Sequence, residues 1–269
     1  MKASSVSIGF SNLFVHRHLL KTLVVRDVHT RYRETIFGYW WLIAYPILML
    51  ATYSFIFGGI FKSRWLNEGG ITDFVAMLYC GLILFGIFSD SINRATTAVR
   101  SQPNFVKKVV FPLELLPLVL VGSSVFSALI NLGLLIILVL VTKFAIPPSA
   151  LFIPVIIVPF IVLVMGLVWG LAAIGVFFPD LGQIVTVLTT IMLFLSPVFF
   201  PLSSAPAIVQ SFLMLNPLTF PIEQTRNILL LAQQPNWEGV ALYAAIAAMV
   251  AWLGLWVFQS SRSAFSDVM

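Results

Sequence analysis

From Ile36 to Phe61 the chain carries no Lys, Arg, Asp or Glu, more than the roughly 20 residues a helix needs to cross the hydrocarbon core of a bilayer. Further charge-free runs extend from Leu115 to Thr142 and from Leu181 to Ile222. Charged residues make up 9% of the sequence, far below the roughly 25% of a soluble domain. The expected fold class is all-α integral membrane.

The stretch Arg26 to Pro46, RDVHTRYRETIFGYWWLIAYP, sets the orientation. Arg26, Arg31 and Arg33 give way through Gly38 to Tyr39, Trp40 and Trp41, and then to apolar residues, the signature of a membrane boundary with its positive side in the cytoplasm. The net charge of +5 does not point to nucleic acid, because the basic residues cluster beside apolar spans and form no interleaved surface. The one cysteine, Cys80, excludes a disulfide framework and a cysteine-built metal site. The N-terminus lacks the apolar core and small-residue cleavage site of a secretory signal and is expected to stay in the mature protein.

Residues 11–34 read as an interface helix. From Leu13 to Val28, at about 100° per residue, Leu13, Leu19, Leu20, Leu23, Val24 and Val28 form an apolar stripe opposite His18, Lys21, Thr22 and Arg26. It is read as lying on the cytoplasmic surface among anionic lipids, a plain cytoplasmic helix being the alternative. Six membrane spans are expected at 36–61, 74–94, 113–142, 151–177, 182–200 and 239–261. Lys62, Arg64, Glu68 and Asp73, with Gly69 and Gly70, read as an outer polar loop. Asp90 and Arg94, four apart, mark an internal ion pair or a cytoplasmic end. The basic segment 95–111, with Arg100, Lys107 and Lys108, is expected in the cytoplasm. Prolines 197, 201, 206, 217 and 221 cut the last long charge-free run, so 205–231 reads as two short helices re-entering the outer leaflet. Irregular backbone at that depth must be buried in protein or line a wet path. Of the fifteen Lys and Arg residues, only Lys62, Arg64, Lys143 and Arg226 then lie outside, and both termini are cytoplasmic.

No GxxxxGK[ST] loop offers a phosphate cradle, and His16, His18 and His29 lie away from any second ligand group. No Ser-His-Asp or paired-carboxylate arrangement suggests catalysis. Asp90, Glu114 and Asp180 all fall near cytoplasmic ends, which disfavours an ion-coupled transporter. A membrane-embedded glycan-modifying enzyme would need intramembrane acid-base residues that the sequence lacks. Energy for a pathway would have to come from a partner. Along the first span Trp41, Tyr45, Met49, Tyr53 and Phe57 repeat every four residues, a slowly winding stripe. Such rings stack on sugar faces while their polar handles meet hydroxyls; lipid contact and interhelical packing are the other reading.

RDVHTRYRETIFGYWWLIAYP, NFVKKVVFP at Asn104 to Pro112, FFPDLGQI at Phe177 to Ile184, SPVFFPLS at Ser196 to Ser203 and LNPLTFPIEQTRNILL at Leu215 to Leu230 occur in this order. Together they resemble the permeases of polysaccharide-exporting ABC transporters, the O-antigen exporter subunit Wzm and its teichoic-acid and capsule relatives. Pro179 departs from that pattern, since many relatives carry a basic residue there. The resemblance implies one transmembrane permease domain over 1–269 in the bacterial inner membrane. It also implies a second copy of the chain, two copies of a cytoplasmic ABC ATPase that binds ATP and Mg, no cofactor in this chain, and an undecaprenyl-type lipid-linked polysaccharide as cargo. O-antigen is the expected cargo, with teichoic acid, capsule, or a small lipid or drug as the alternatives.

Residue by residue, the resemblance implies ATPase coupling for Arg26, Arg31, Arg33, Arg100, Asn104, Lys107 and Lys108. It implies a substrate path for Tyr39, Trp40, Trp41, Tyr45, Tyr53 and Phe57, and a periplasmic gate for Phe199, Phe200, Asn216, Pro217, Glu223 and Arg226. Glu223 and Arg226, three apart on the second short helix, are expected to pair and brace that gate.

Overall fold

The computed structural model describes residues 16–33, 35–56, 66–106, 111–144 and 146–268. Among them every regular element is helical. In chain order they are α1 (Arg17–Arg33), α2 (Trp41–Tyr53), α3 (Leu66–Ala95), the single turn α4 (Pro103–Val106), α5 (Leu115–Lys143), α6 (Ile153–Phe177), α7 (Leu181–Phe194), α8 (Ala207–Met214), α9 (Thr219–Leu229), α10 (Trp237–Ser261) and α11 (Phe265–Val268). Short 3-10 turns precede α2 and α6. Five segments are long and apolar enough to cross a membrane: Gly38–Ile56, Thr72–Ala95, Leu115–Thr142, Pro148–Phe177 and Trp237–Ala264.

Two boundaries differ from the sequence reading. The polar loop expected around Glu68 to Asp73 is helical from Leu66, so α3 takes in Gly69 and Gly70. Their penalty, about 1 kcal/mol each, is outweighed because a helix satisfies its own backbone where the surroundings offer few partners. The stretch expected as the fifth span, 182–200, is helical only as far as Phe194, since Ser196 before Pro197 is biased away from helical angles. The 14 residues of α7 rise only about 21 Å, against a hydrocarbon core of roughly 30 Å. In the basic segment the described residues form a helical turn, Pro103–Val106, and 107–110 lie outside them.

Contacts gather the elements at two ends of the bundle. At the first, α1 lies along α5 with Val24 over Gly122, where an added Cβ would stand 2.6 Å from a Val24 methyl carbon. Leu23 and Val28 of the α1 stripe are buried, whereas His18, Lys21, Thr22 and Arg26 are exposed. The described part of the stripe therefore packs on protein. Arg262 donates to Glu114 Oε1 at 2.9 Å, Trp169 Nε1 donates to the Glu114 carbonyl, and Phe265 packs on Phe258 and Phe177. At the second end, Ser149 donates to the Ile228 carbonyl and the Phe152 and Trp237 rings meet edge to face. Helices α6 and α10 run between the ends in close contact through Gly166, Ala247, Ala251 and Gly254.

A cavity between the first spans, and the clusters at its two ends

A cavity of about 750 Å³ opens between α2 on one side and α3 and α5 on the other. Trp41, Tyr45, Met49 and Tyr53 line it from α2, because four-residue spacing advances only about 40° per step and keeps the rings near one face. The facing wall follows helical periodicity: Tyr79, Ile83, Gly86, Asp90, Asn93 and Arg94 from α3, with Ser124, Ser127, Ala128 and Asn131 from α5. One wall is thus aromatic and the other carries polar groups between apolar ones.

Of the other candidate path residues, Tyr39 and Trp40 do not reach this cavity. They sit on the 3-10 turn before α2, where the helical phase of Trp41 to Tyr53 does not apply. The Tyr39 hydroxyl is hydrogen-bonded to His29 Nδ1 and Trp40 is 71% exposed. Phe57 lies outside the described residues.

At the first end the cavity closes on a crossed pair of ion pairs. Helix α1 presents Asp27 and Arg31, and α3 presents Asp90 and Arg94, each pair four residues apart; the helices run antiparallel here, so Asp27 meets Arg94 and Arg31 meets Asp90. Arg94 Nη2 donates to both Asp27 oxygens at 2.7 and 2.9 Å, and Arg31 Nη2 donates to Asp90 Oδ2 at 2.9 Å. The Ser124 hydroxyl donates to the same Asp90 oxygen at 2.5 Å, adding α5 to the knot. Burial draws the Arg31 pKa down, but the Asp90 carboxylate more than offsets this and leaves it raised. The side chains keep between a fifth and a third of their exposure, so each pair contributes only about 1 kcal/mol. A double-mutant cycle on Asp27→Asn and Arg94→Gln, read by thermal unfolding in detergent, is expected to give a coupling of about 1 kcal/mol. Strict additivity would mean that the helices are held together without it.

The same geometry sorts the coupling candidates. Arg31 turns inward to the cavity. Arg26 stays exposed with its guanidinium 5.8 Å from the Phe105 ring, bringing α1 against α4. Arg33, Arg100 and Asn104 are exposed at this end, and Lys107 and Lys108 lie outside the described residues.

At the second end all six gate candidates fall in one neighbourhood. Asn216, in the turn between α8 and α9, donates to the Leu195 carbonyl and Ser196 Oγ, both at 2.9 Å, and accepts the Leu218 N–H. Pro217 offers its carbonyl to the Tyr243 hydroxyl at 2.9 Å, which fixes the turn to α10. Arg226 is buried: Nε donates to the Met77 carbonyl at 2.9 Å, Nη1 to Pro197 at 2.5 Å and Nη2 to Val198 at 2.8 Å. Nη1 also meets Glu223 Oε1 at 3.1 Å, the pairing read from the sequence. Phe199 stacks on Phe194 and meets Tyr53 edge to face, so the last aromatic of the cavity wall touches this cluster; Phe200 is half-buried.

Three residues here were not singled out from the sequence. Asp27 was legible only as the partner of Arg31 in a motif that repeats at Asp90 and Arg94. Tyr79 and Asn131 read as isolated polar residues in apolar runs; the signal was the cost of placing them there.

Residues 18–230 match the family model described as ABC-2 type transporter. The chain is 28% identical over 259 residues to the O-antigen export system permease protein RfbA of Myxococcus xanthus, covering 95% of this chain and 96% of that one. It is 27% identical over 263 residues to the polysialic acid transport protein KpsM of Escherichia coli, covering 94% and 97%. To the capsule polysaccharide export inner-membrane protein CtrC of Neisseria meningitidis it is 21% identical over 229 residues, 84% of each chain.

Proposed function

The chain belongs to the ABC-2 type transporter family, and from that premise we propose that it is the permease of an exporter that moves a lipid-linked cell-surface polysaccharide, of O-antigen type, out of the cytoplasm. The observation that carries the reading is the cavity with an aromatic wall, since stacked rings are what a sugar chain slides along and a small ion has no use for. The permease contributes the path, and ATP hydrolysis belongs to a separate ATPase, consistent with a sequence that has no phosphate-binding loop.

Two copies of the chain with two ATPases form the working unit, with an undecaprenyl-type carrier on the cargo. Exposed apolar side chains along α7, among them Ile184, Val187, Leu188 and Ile191, suit contact with lipid or with the second copy. The basic end faces the cytoplasm, by the bias of Lys and Arg, and carries both termini. There Arg26, Arg33, Arg100 and Asn104 meet the ATPase. The crossed ion pairs carry movement of α1 into α3 and α5. The α8–α9 pair is the outer gate, re-entrant and not spanning, with α7 completing a sixth crossing together with the turn to Phe200.

The test is transport into proteoliposomes that hold the permease and its ATPase, with labelled glycan outside. Uptake is expected only with ATP, and equal uptake by the permease alone would sink the reading. Gly86 supplies a plug, because a Cβ there meets nothing within 4 Å and points into the cavity. Gly86→Leu is expected to cut transport about tenfold or more while the thermal midpoint holds or rises, since leucine is the better helix former. Unchanged transport would place the path elsewhere.

A further inference from the structure

Among the described residues five buried side-chain atoms have no hydrogen-bond partner, and three of them, Tyr79 Oη, Asn131 Oδ1 and Arg94 Nη1, belong to residues lining the cavity between α2, α3 and α5. A buried polar group left unmade costs about 1–3 kcal/mol, so clustering on one wall asks for an occupant that the fold does not supply. Arg94 Nη1 reaches Asp90 only at 3.8 Å and belongs to the ion-pair knot. Tyr79 and Asn131 belong to nothing else in the fold. Tyr79 is 4% exposed, and Asn131 sits midway along an otherwise strongly apolar helix, where leucine would carry no such cost.

We propose that Tyr79 and Asn131 form a hydroxyl-binding strip that holds the edges of sugar rings whose faces rest on Trp41, Tyr45 and Tyr53. The proposal deepens the export reading and rests on it. A phenol donates and accepts, and an amide oxygen accepts; sugar hydroxyls do both, so they match the pair, whereas an acyl chain can satisfy neither group. Along α3 the strip leads from the charged knot toward Tyr79, about 16 Å of helix from Asp90, on the wall that faces the aromatic stripe. A sugar chain between the two walls would then meet aromatic rings on one side and hydrogen-bonding groups on the other, the arrangement that suits recognition of the glycan rather than of its carrier lipid.

Because neither atom makes a bond within the fold, removing it should leave the fold intact. The complex of permease and ATPase is reconstituted as wild type, Tyr79→Phe, Asn131→Leu and the double variant. Two probes are titrated: the lipid-linked glycan extracted from cells lacking this gene, and undecaprenyl pyrophosphate without glycan. The double variant is expected to assemble with the ATPase and to hold or raise the thermal midpoint of wild type. The concentration of extracted glycolipid giving half-maximal stimulation should rise about tenfold, Tyr79→Phe alone giving part of it, with no shift for the bare carrier. An unchanged half-maximal concentration, an equal shift for both probes, or a fall in the midpoint of Tyr79→Phe would overturn the strip. A wild type that ignores the glycolipid while binding its ATPase would instead overturn the export reading itself.

Discussion

Arg226→Met is expected to cost about 3–5 kcal/mol and with it the export activity, because methionine fills the volume and makes none of the bonds. The guanidinium gathers three carbonyls, of Met77, Pro197 and Val198, and the Glu223 carboxylate, and so ties α3, the turn after α7 and α9 into one block. Removing it leaves those carbonyls and a half-buried carboxylate without their donor, the costly direction in which to break such a pair. Against a total stability of about 5–15 kcal/mol that is enough to lose the folded protein at growth temperature. Arg226→Lys is expected to recover only a small part, since one ammonium cannot reproduce a planar fork aimed at three separated oxygens. Gly81 reports the same fit: a Cβ there would stand 3.0 Å from Arg226 Nη2 and 3.2 Å from the Val198 Cα. Thermal unfolding of the purified complex is the measurement, and a methionine variant with the wild-type midpoint would show that this cluster does not hold α9 against α3.

The spans Leu115–Lys143, Ile153–Phe177 and Trp237–Ser261 were legible within a few residues, because a charge-free run reports where water is absent and needs no knowledge of contacts. The start of α3 and the end of α7 were not, since they turn on how far a helix outlasts its apolar stretch and where one proline stops it. The spacing of Trp41, Tyr45 and Tyr53 survives into the structure as a cavity wall, whereas Tyr39 and Trp40, which the resemblance alone put on the path, lie on a 3-10 turn outside that phase. Charge sign placed Arg31 at the membrane boundary without saying which way it points. Its partner Asp90 is 59 residues away, and only the antiparallel crossing of α1 and α3 brings the two Asp-Arg steps into register. The Glu223 and Arg226 pair was visible because three residues is one helical step; the three carbonyls that Arg226 gathers come from other elements and leave no mark on the local sequence.

Gly254→Ala, the smallest substitution available, is expected to be among the most damaging in the chain, and Gly254→Val to prevent assembly. A Cβ on Gly254 would stand 1.9 Å from the Gly166 carbonyl oxygen, and one on Gly166 would stand 2.6 Å from the backbone of Ala251. Both obstacles are main chain, so no rotamer change relieves them. To reach an ordinary contact of 3.4 Å the helices α6 and α10 must separate along a seam where Val168, Ala247, Leu255 and Phe258 are fully buried. In lipid nothing but packing and hydrogen bonds holds helices together, and dispersion falls away within an ångström of opening. Overpacking of this kind costs about 1–3 kcal/mol where neighbours can adjust, and more here. Gly170, on the same α6, supplies the control, because a Cβ there meets nothing within 4 Å. Gly170→Ala is expected to hold or raise the thermal midpoint through helix propensity, while Gly254→Ala lowers it by several degrees or more and reduces the yield of intact complex. If the two alanines behave alike, the close approach of α6 and α10 is not what holds these two helices together.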